Sequence, residues 1–255
     1  MMELEICVDS VDSAVAAENG GAQRVELCSA LIEGGLTPSM GMVRAVRSRI
    51  GIGIYAMIRP RGGDFVYSDE EFAVMRDDLL LVKENAADGV VFGLLTPDGE
   101  VDVNRTRELV ELARPMKVTF HRAVDMARNM DTAMADIVRT GADRVLTSGG
   151  VQTASLGSAC IARLVRKFGS QIDVMVCGGV RRENVEQIAQ ATGASQFHAA
   201  LRTAIPSPVT YRKSGLFMGE PGLDEFARFT VLAADVRTLR EAIDKASLQG
   251  VSQQT

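Results

Sequence analysis

Two copies of a Glu-x-Cys pattern stand near the start of the chain, Glu5-Ile-Cys7 and Glu26-Leu-Cys28. Thiolates are soft ligands that select ions such as Cu(I), and neighbouring carboxylates can hold or move protons. Paired sulfurs at Cys7 and Cys28 are therefore a candidate Cu(I) site, against the plain alternative that a buried cysteine is a small hydrophobe. Zinc would need His121, His198 or a further thiol to converge on them. His121 and His198 are the chain's two histidines, and each is a candidate acid, base or ligand. Met57, Arg59 and Arg61 alternate around Pro60. Because a guanidinium meets a carboxylate through two parallel bonds, Arg59 or Arg61 is expected to pair with Glu5 or Glu26 in a buried acid–arginine network. Such a network either organises a protein interior or forms a floor that orients a substrate. In the second case Glu26, Arg59, Arg61, His121 and His198 are the catalytic candidates, the arginines binding negative charge and Glu26 or His121 moving protons.

Two glycine-rich turns add a second kind of chemistry. Thr147-Ser148-Gly149-Gly150 and Cys177-Gly178-Gly179 let backbone amides approach a ligand closely. Ser148, Gly149, Gly150, Gly178 and Gly179 are accordingly candidates for binding a phosphate or carboxylate. The alternative is a pair of tight strand-to-helix turns. Thr119-Phe-His-Arg-Ala-Val-Asp125 could place a donor and an acceptor around one of these sites.

These residues must be positioned by strands, since Glu5 with Cys7 and Glu26 with Cys28 share a face only where side chains alternate. Short Val- and Ile-rich runs alternate with longer amphipathic stretches, which predicts parallel strands joined by crossover helices. Strands are expected near Leu4–Val8, Val25–Cys28, Ile52–Arg59, Gly89–Leu95, Lys117–His121, Arg144–Ser148, Asp173–Cys177 and Gln196–His198. Ser10 or Asp12 can cap a helix over Ser13–Asn19 that ends in Gly20-Gly21. Helices follow at Met130–Thr140 and Glu183–Thr192. A repeated phrase of helix, Gly-Ala-polar residue and strand recurs at Gly21-Ala22-Gln23, Gly141-Ala142-Asp143 and Gly193-Ala194-Ser195. Such a repeat favours an α/β fold of the (β/α)8 TIM-barrel type, with the site at the C-terminal ends of the strands. A doubly wound sheet for a dinucleotide would want a Gly-x-Gly-x-x-Gly turn after the first strand, where Cys7-Val8-Asp9-Ser10 has no glycine, so no nucleotide cofactor is expected. One domain is expected over residues 1–246, with a flexible tail over 247–255.

A length of 255 residues suits one such barrel. With 46% hydrophobic and 24% charged residues the chain can bury a core without disulfides. A net charge of −5 without a basic run argues against nucleic acid or an anionic membrane as partner. The first residues, MMELEICVDS, carry acids where a secretory signal needs a basic start, and no run is apolar enough to span a bilayer. A cytoplasmic protein with four reduced cysteines is the expectation.

The motifs also resemble the CutC family of copper homeostasis proteins. The resemblance runs from about Leu4 to Tyr211-Arg212 and is carried by Leu4-Glu-Ile-Cys7, Arg24-Val-Glu-Leu-Cys28, Glu33-Gly-Gly-Leu-Thr-Pro-Ser39, Ile58-Arg-Pro-Arg-Gly-Gly-Asp-Phe65 with Tyr67-Ser68, Thr119-Phe-His-Arg122 and Val145-Leu-Thr-Ser-Gly149. It implies a (β/α) barrel in the cytoplasm, a homo-oligomer (dimer or tetramer) and Cu(I) at Cys7 and Cys28. Two departures stand out. Cys177 occupies a place where relatives tend to have glycine or alanine, and is not carried over as a ligand; Ala199-Ala200 follow His198 where small hydroxyl residues are usual. Two functions stay open at this point: a copper protein, and an enzyme for a small anionic or phosphorylated substrate.

Overall fold

The computed structural model describes residues 2–216, 224 and 226–252. Eight parallel strands close on themselves, each hydrogen-bonded to the next and the eighth to the first. They are β1 (Glu3–Val8), β2 (Arg24–Leu27), β3 (Gly53–Met57), β4 (Gly89–Phe92), β5 (Lys117–Phe120), β6 (Arg144–Thr147), β7 (Asp173–Val176) and β8 (Gln196–Ala199). Helices α1 (Val11–Asn19), α2 (Met40–Arg47), α3 (Asp69–Glu84), α4 (Val103–Ala113), α5 (Met130–Thr140), α6 (Ala154–Phe168) and α7 (Val185–Thr192) follow the first seven strands. A two-stranded ribbon, β9 (Thr203–Ile205) with β10 (Arg228–Thr230), then leads to α8 (Ala233–Ser252). Residues 247–252, expected as a tail, continue this helix; 253–255 lie outside the described residues.

Strand alternation divides the chain's chemistry between two faces. Outward residues such as Leu4, Ile6, Val25, Leu27, Ile54, Phe92, Phe120 and Phe197 are fully buried against the helices and form the main apolar core. Inward residues are mostly polar below and sulfur-bearing above, a sorting that period-2 geometry imposes on every strand.

The repeated phrase has a physical basis. Ser10 caps α1 by accepting the Ser13 amide. Gly20 stays right-handed and Gly21 takes the left-handed conformation, at φ 91°. Gly141 and Gly193 do the same at φ 83° and 68°. The polar residue that follows then ties the new strand to the previous one. Gln23 donates its amide to Leu4 and accepts the Leu4 amide on its side chain; Asp143 does the same with Val118. A fourth copy escaped the sequence reading, because Ala86 holds the left-handed position at φ 58°. Asp88 there bonds to Ile54 in the same two ways.

Candidate functional site at the barrel mouth

Register places the acids and sulfurs. Glu5 lies level with Arg24 on one side and His198 on the other, and Cys7 lies level with Glu26. The stagger of a closed barrel therefore offsets the two Glu-x-Cys copies by one inward layer, which strand alternation within each strand does not specify. Cys28, one layer higher, still meets Cys7, with 4.0 Å between the two Sγ atoms. Its sulfur also lies 3.6 Å from Glu26 Oε2. His198 completes the group: Nδ1 is 2.7 Å from Glu5 Oε1 and Nε2 is 3.9 Å from Glu26 Oε2. Cys7, Glu26 and His198 can together offer ligand atoms to one ion, and among the described residues no other such group of three is found.

The electrostatics divide this cluster. Burial would raise the Glu5 carboxyl, but the His198 hydrogen bond and the charges of Arg24, His198 and Arg144 bring it down to about 2. The hydrogen bond from Cys28, aided by His198, lowers the Cys7 thiol to about 5 against the cost of burial. Cys28 moves the other way, raised by its bond to the Cys7 thiolate and by burial. Burial and the neighbouring anions of Cys7 and Glu5 push Glu26 up. Burial opposes charge on His198, yet Glu26, Cys7 and Glu5 raise it well above the usual imidazole range. These shifts favour negative charge on Cys7 and positive charge on His198, and favour keeping the protons of Cys28 and Glu26.

The expected pairing of Arg59 or Arg61 with these acids does not form. Glu5 Oε2 is held by Arg24 Nε at 2.7 Å. Arg24 also reaches Gln196 Oε1 at 2.7 Å, and Arg144 donates to that same oxygen at 2.6 Å and to Thr119 at 3.2 Å. Both guanidiniums lie over the Tyr55 ring. Arg24, Arg144, Tyr55 and Gln196 are the residues that sequence reasoning missed. Counting back two from Glu26 and from Leu146 puts both arginines on the inward face, so alternation alone carried the signal.

Arg59 instead turns into the loop after β2, donating to the carbonyls of Glu33 and Gly35, and to Gly63 in its own loop. Arg61 leaves the interior altogether. It pairs with Glu71 at 2.5 Å and with Asp64, and it holds the carbonyls of Gly62, Asp64 and Val66, so it fixes the β3–α3 loop. The reason is chain direction: β3 ends at Met57, and alternation no longer applies beyond it.

His121 is buried beside Phe65, its rings 4.9 Å apart, and its Nδ1 accepts the Ala123 amide. Burial and the Arg59 charge lower it to about 3, so it is neutral. It is not brought to His198: the first caps the turn after β5, and the second faces the sulfurs.

The glycine turn after β6 binds an anion, but one of the chain's own. Asp125 accepts the amides of Ser148 and Gly150 and the hydroxyls of Thr147 and Ser148, and Arg122 pairs with it. Gly149 donates to Thr147 Oγ1. The expected external ligand at Ser148, Gly149 and Gly150 thus meets donors already engaged. Gly178 and Gly179 pack on this turn, where Gly178 accepts the Ala154 amide and Gly179 accepts from Asn184. Cys177 sits apart in an apolar cluster with Leu146 and Met175, its thiol raised by burial.

This arrangement of cysteines, acids and histidine can be set beside known proteins. The sequence model of the CutC family matches residues 2–203. The chain belongs to the CutC family. The CutC family protein of Chromobacterium violaceum is 50% identical over 95% of this chain and 98% of its own length. A human relative named copper homeostasis protein cutC homolog is 44% identical over 92% of this chain and 87% of its own. Among solved structures, the CutC chain of Streptococcus agalactiae superposes with a TM-score of 0.73 at 32% identity, covering 78% of this chain and 98% of that one. Phosphoribosyl anthranilate isomerase of Thermotoga maritima, at 12% identity and a TM-score of 0.56 over 96% of this chain and all of its own, shares the barrel fold alone. The CutC match covers the whole barrel and ends as the β9 strand begins.

Proposed function

We propose that this CutC protein serves copper homeostasis in the cytosol by holding one Cu(I) between Cys7 and Cys28, with His198 as third ligand. The observation that carries the reading is the sulfur pair at 4.0 Å facing an imidazole whose other nitrogen is engaged by Glu5. Two metal–sulfur bonds of roughly 2.3 Å, the length typical of zinc thiolates, span that separation at an angle of about 120°, which leaves room for a third donor. A carboxylate on the far nitrogen of a ligating histidine fixes the ring so that Nε2 faces the metal. Cys7 loses its proton most readily, and Cys28 and the Nε2 of His198 give up theirs on binding. Glu26, whose Oε1 is buried without a partner, is positioned to give up its own proton and enter the ligand set. The human and mouse relatives, both named copper homeostasis protein cutC homolog, support the copper assignment.

Anaerobic Cu(I) titration against a competing chelator tests this, with one ion per chain expected. The double substitution Cys7→Ser and Cys28→Ser should abolish uptake; uptake that survives it would sink the assignment. As a homo-oligomer, the protein should show a molar mass by light scattering that is a multiple of 27.4 kDa; a value equal to one chain would exclude assembly.

A further inference from the structure

Arg59, Tyr67 and His121 are 5%, 6% and 4% exposed. Each leaves one buried polar atom without a hydrogen bond: Nε of Arg59, the hydroxyl of Tyr67 and Nε2 of His121. They lie on the β3 and β5 side of the mouth and belong neither to the sulfur cluster nor to the Asp125 turn. Phe65 links them. The Arg59 guanidinium lies 5.1 Å from its ring centre, and the His121 ring lies 4.9 Å away at an interplanar angle of 57°. Tyr67 is two residues further on, and Arg59, by its charge and by the approach of its guanidinium to the phenol oxygen, draws down a hydroxyl which burial pushes up; the O–H hydrogen is left to donate.

All three free atoms can donate. Because His121 Nδ1 accepts the Ala123 amide, the ring hydrogen sits on Nε2. Both Nη1 hydrogens and one Nη2 hydrogen of Arg59 are committed to carbonyls, so Nε and the second Nη2 hydrogen are the donors it has left. Buried donors are almost always paired in native proteins, and orphans on Arg59, on the Tyr67 beside it and on the His121 across the Phe65 ring mark a place for an acceptor. The unpaired charge there is a single cation, since His121 and Tyr67 are neutral and Arg61, over the Tyr67 ring, is paired with Glu71 and Asp64. One negative charge is matched by it, whereas a phosphate dianion would bring a second buried charge with nothing to pair it.

We propose that Arg59, Tyr67 and His121 bind the carboxylate group of a small organic acid, admitted when the partly buried Phe65 ring turns out from between Arg59 and His121. The ring can move while its backbone stays, because Arg61 holds the loop carbonyls on both sides and the Leu95 amide binds the Phe65 carbonyl. The site adjoins the sulfur pair through one wall. Arg59 donates to the Gly35 carbonyl, and a side chain added at Gly35 would lie 3.0 Å from Cys28 Sγ.

Calorimetry and thermal denaturation with propionate and succinate, at constant ionic strength and with chloride and inorganic phosphate as comparison, test the site. Saturable stabilisation by the carboxylates is expected, with phosphate weaker. Tyr67→Phe should raise the melting temperature of the ligand-free protein, because an unpaired hydroxyl leaves the interior, and should weaken carboxylate binding by about tenfold. Phe65→Ala should strengthen binding. The same response is expected in the Cys7→Ser, Cys28→Ser variant, which separates this site from copper. No saturable response in either the wild type or Phe65→Ala, a stronger response to phosphate, or a Tyr67→Phe affinity equal to wild type would each overturn the proposal.

Discussion

At the scale of single residues, neighbouring groups of like chemistry behave differently because their surroundings differ. His121 and His198 both end barrel strands and both are buried, yet one is lowered to about 3 and the other is raised. The difference is the presence of acids. His121 faces an arginine and an aromatic ring, and His198 faces two carboxylates and a thiolate. For His121 the unfolded chain binds a proton below about 6.5 that the folded chain does not take up until about 3. Its contribution to stability is therefore full above that window and is lost as pH falls through it. His121→Asn keeps an acceptor for the Ala123 amide and should remove this loss: relative to the variant, wild type should lose about 1.4 kcal/mol per pH unit between those values, read from urea midpoints. Parallel pH profiles for the two proteins would refute it. Glu5 offers a second residue-scale prediction. If it orients His198, Glu5→Gln should weaken Cu(I) binding by about 10- to 100-fold with stoichiometry unchanged, measured by chelator competition.

At the scale of elements, the recurring turn from helix to strand shows what a left-handed position demands. Glycine meets it at Gly21, Gly141 and Gly193, and Ala86 meets it under strain at φ 58°. A side chain in that conformation costs on the order of 1 kcal/mol, so Ala86→Gly should stabilise the protein by about that amount in chemical denaturation; a loss of stability would show that the alanine methyl contributes packing instead. The turn after β6 makes the opposite demand. Asp125 satisfies two amides and two hydroxyls there and is itself nearly buried. Asp125→Ala would strand those donors and should cost about 3 kcal/mol or more, with the barrel far-UV signal retained at low temperature. A cost near zero would mean that water replaces the carboxylate without loss.

At the scale of the whole molecule, the barrel interior is built around a charged belt rather than an apolar one. Glu5, Arg24, Gln196, Arg144 and Thr119 form a connected chain of hydrogen bonds, with Tyr55 beneath the two guanidiniums. Gly89 makes this possible, since a methyl there would lie 2.4 Å from the Tyr55 ring. Breaking such a belt by removing one partner is costly because the other charge stays buried. Arg24→Met should destabilise the fold by about 3–5 kcal/mol, and its lost pairing should also raise the pH at which Glu5 takes up a proton on acid titration. An unfolding midpoint equal to wild type would show that Arg144 alone can neutralise Glu5. The belt lies directly beneath the sulfurs, so the same acid that anchors Arg24 also orients His198.

The sequence by itself determined the strands, their parallel order and the inward direction of Cys7, Cys28, Glu5 and Glu26, because period-2 alternation and left-handed turns are local properties of the chain. It also carried the family, through motifs that are contiguous. The tertiary structure alone decided which inward residues meet. Barrel stagger set Glu5 against Arg24 and His198 instead of Arg59, and the end of β3 at Met57 left Arg61 to the loop. The glycine turn was legible as an anion cradle, but a carboxylate 25 residues away in sequence fills it. Register and long-range partners depend on how the sheet closes, and closure is a property of all eight strands together.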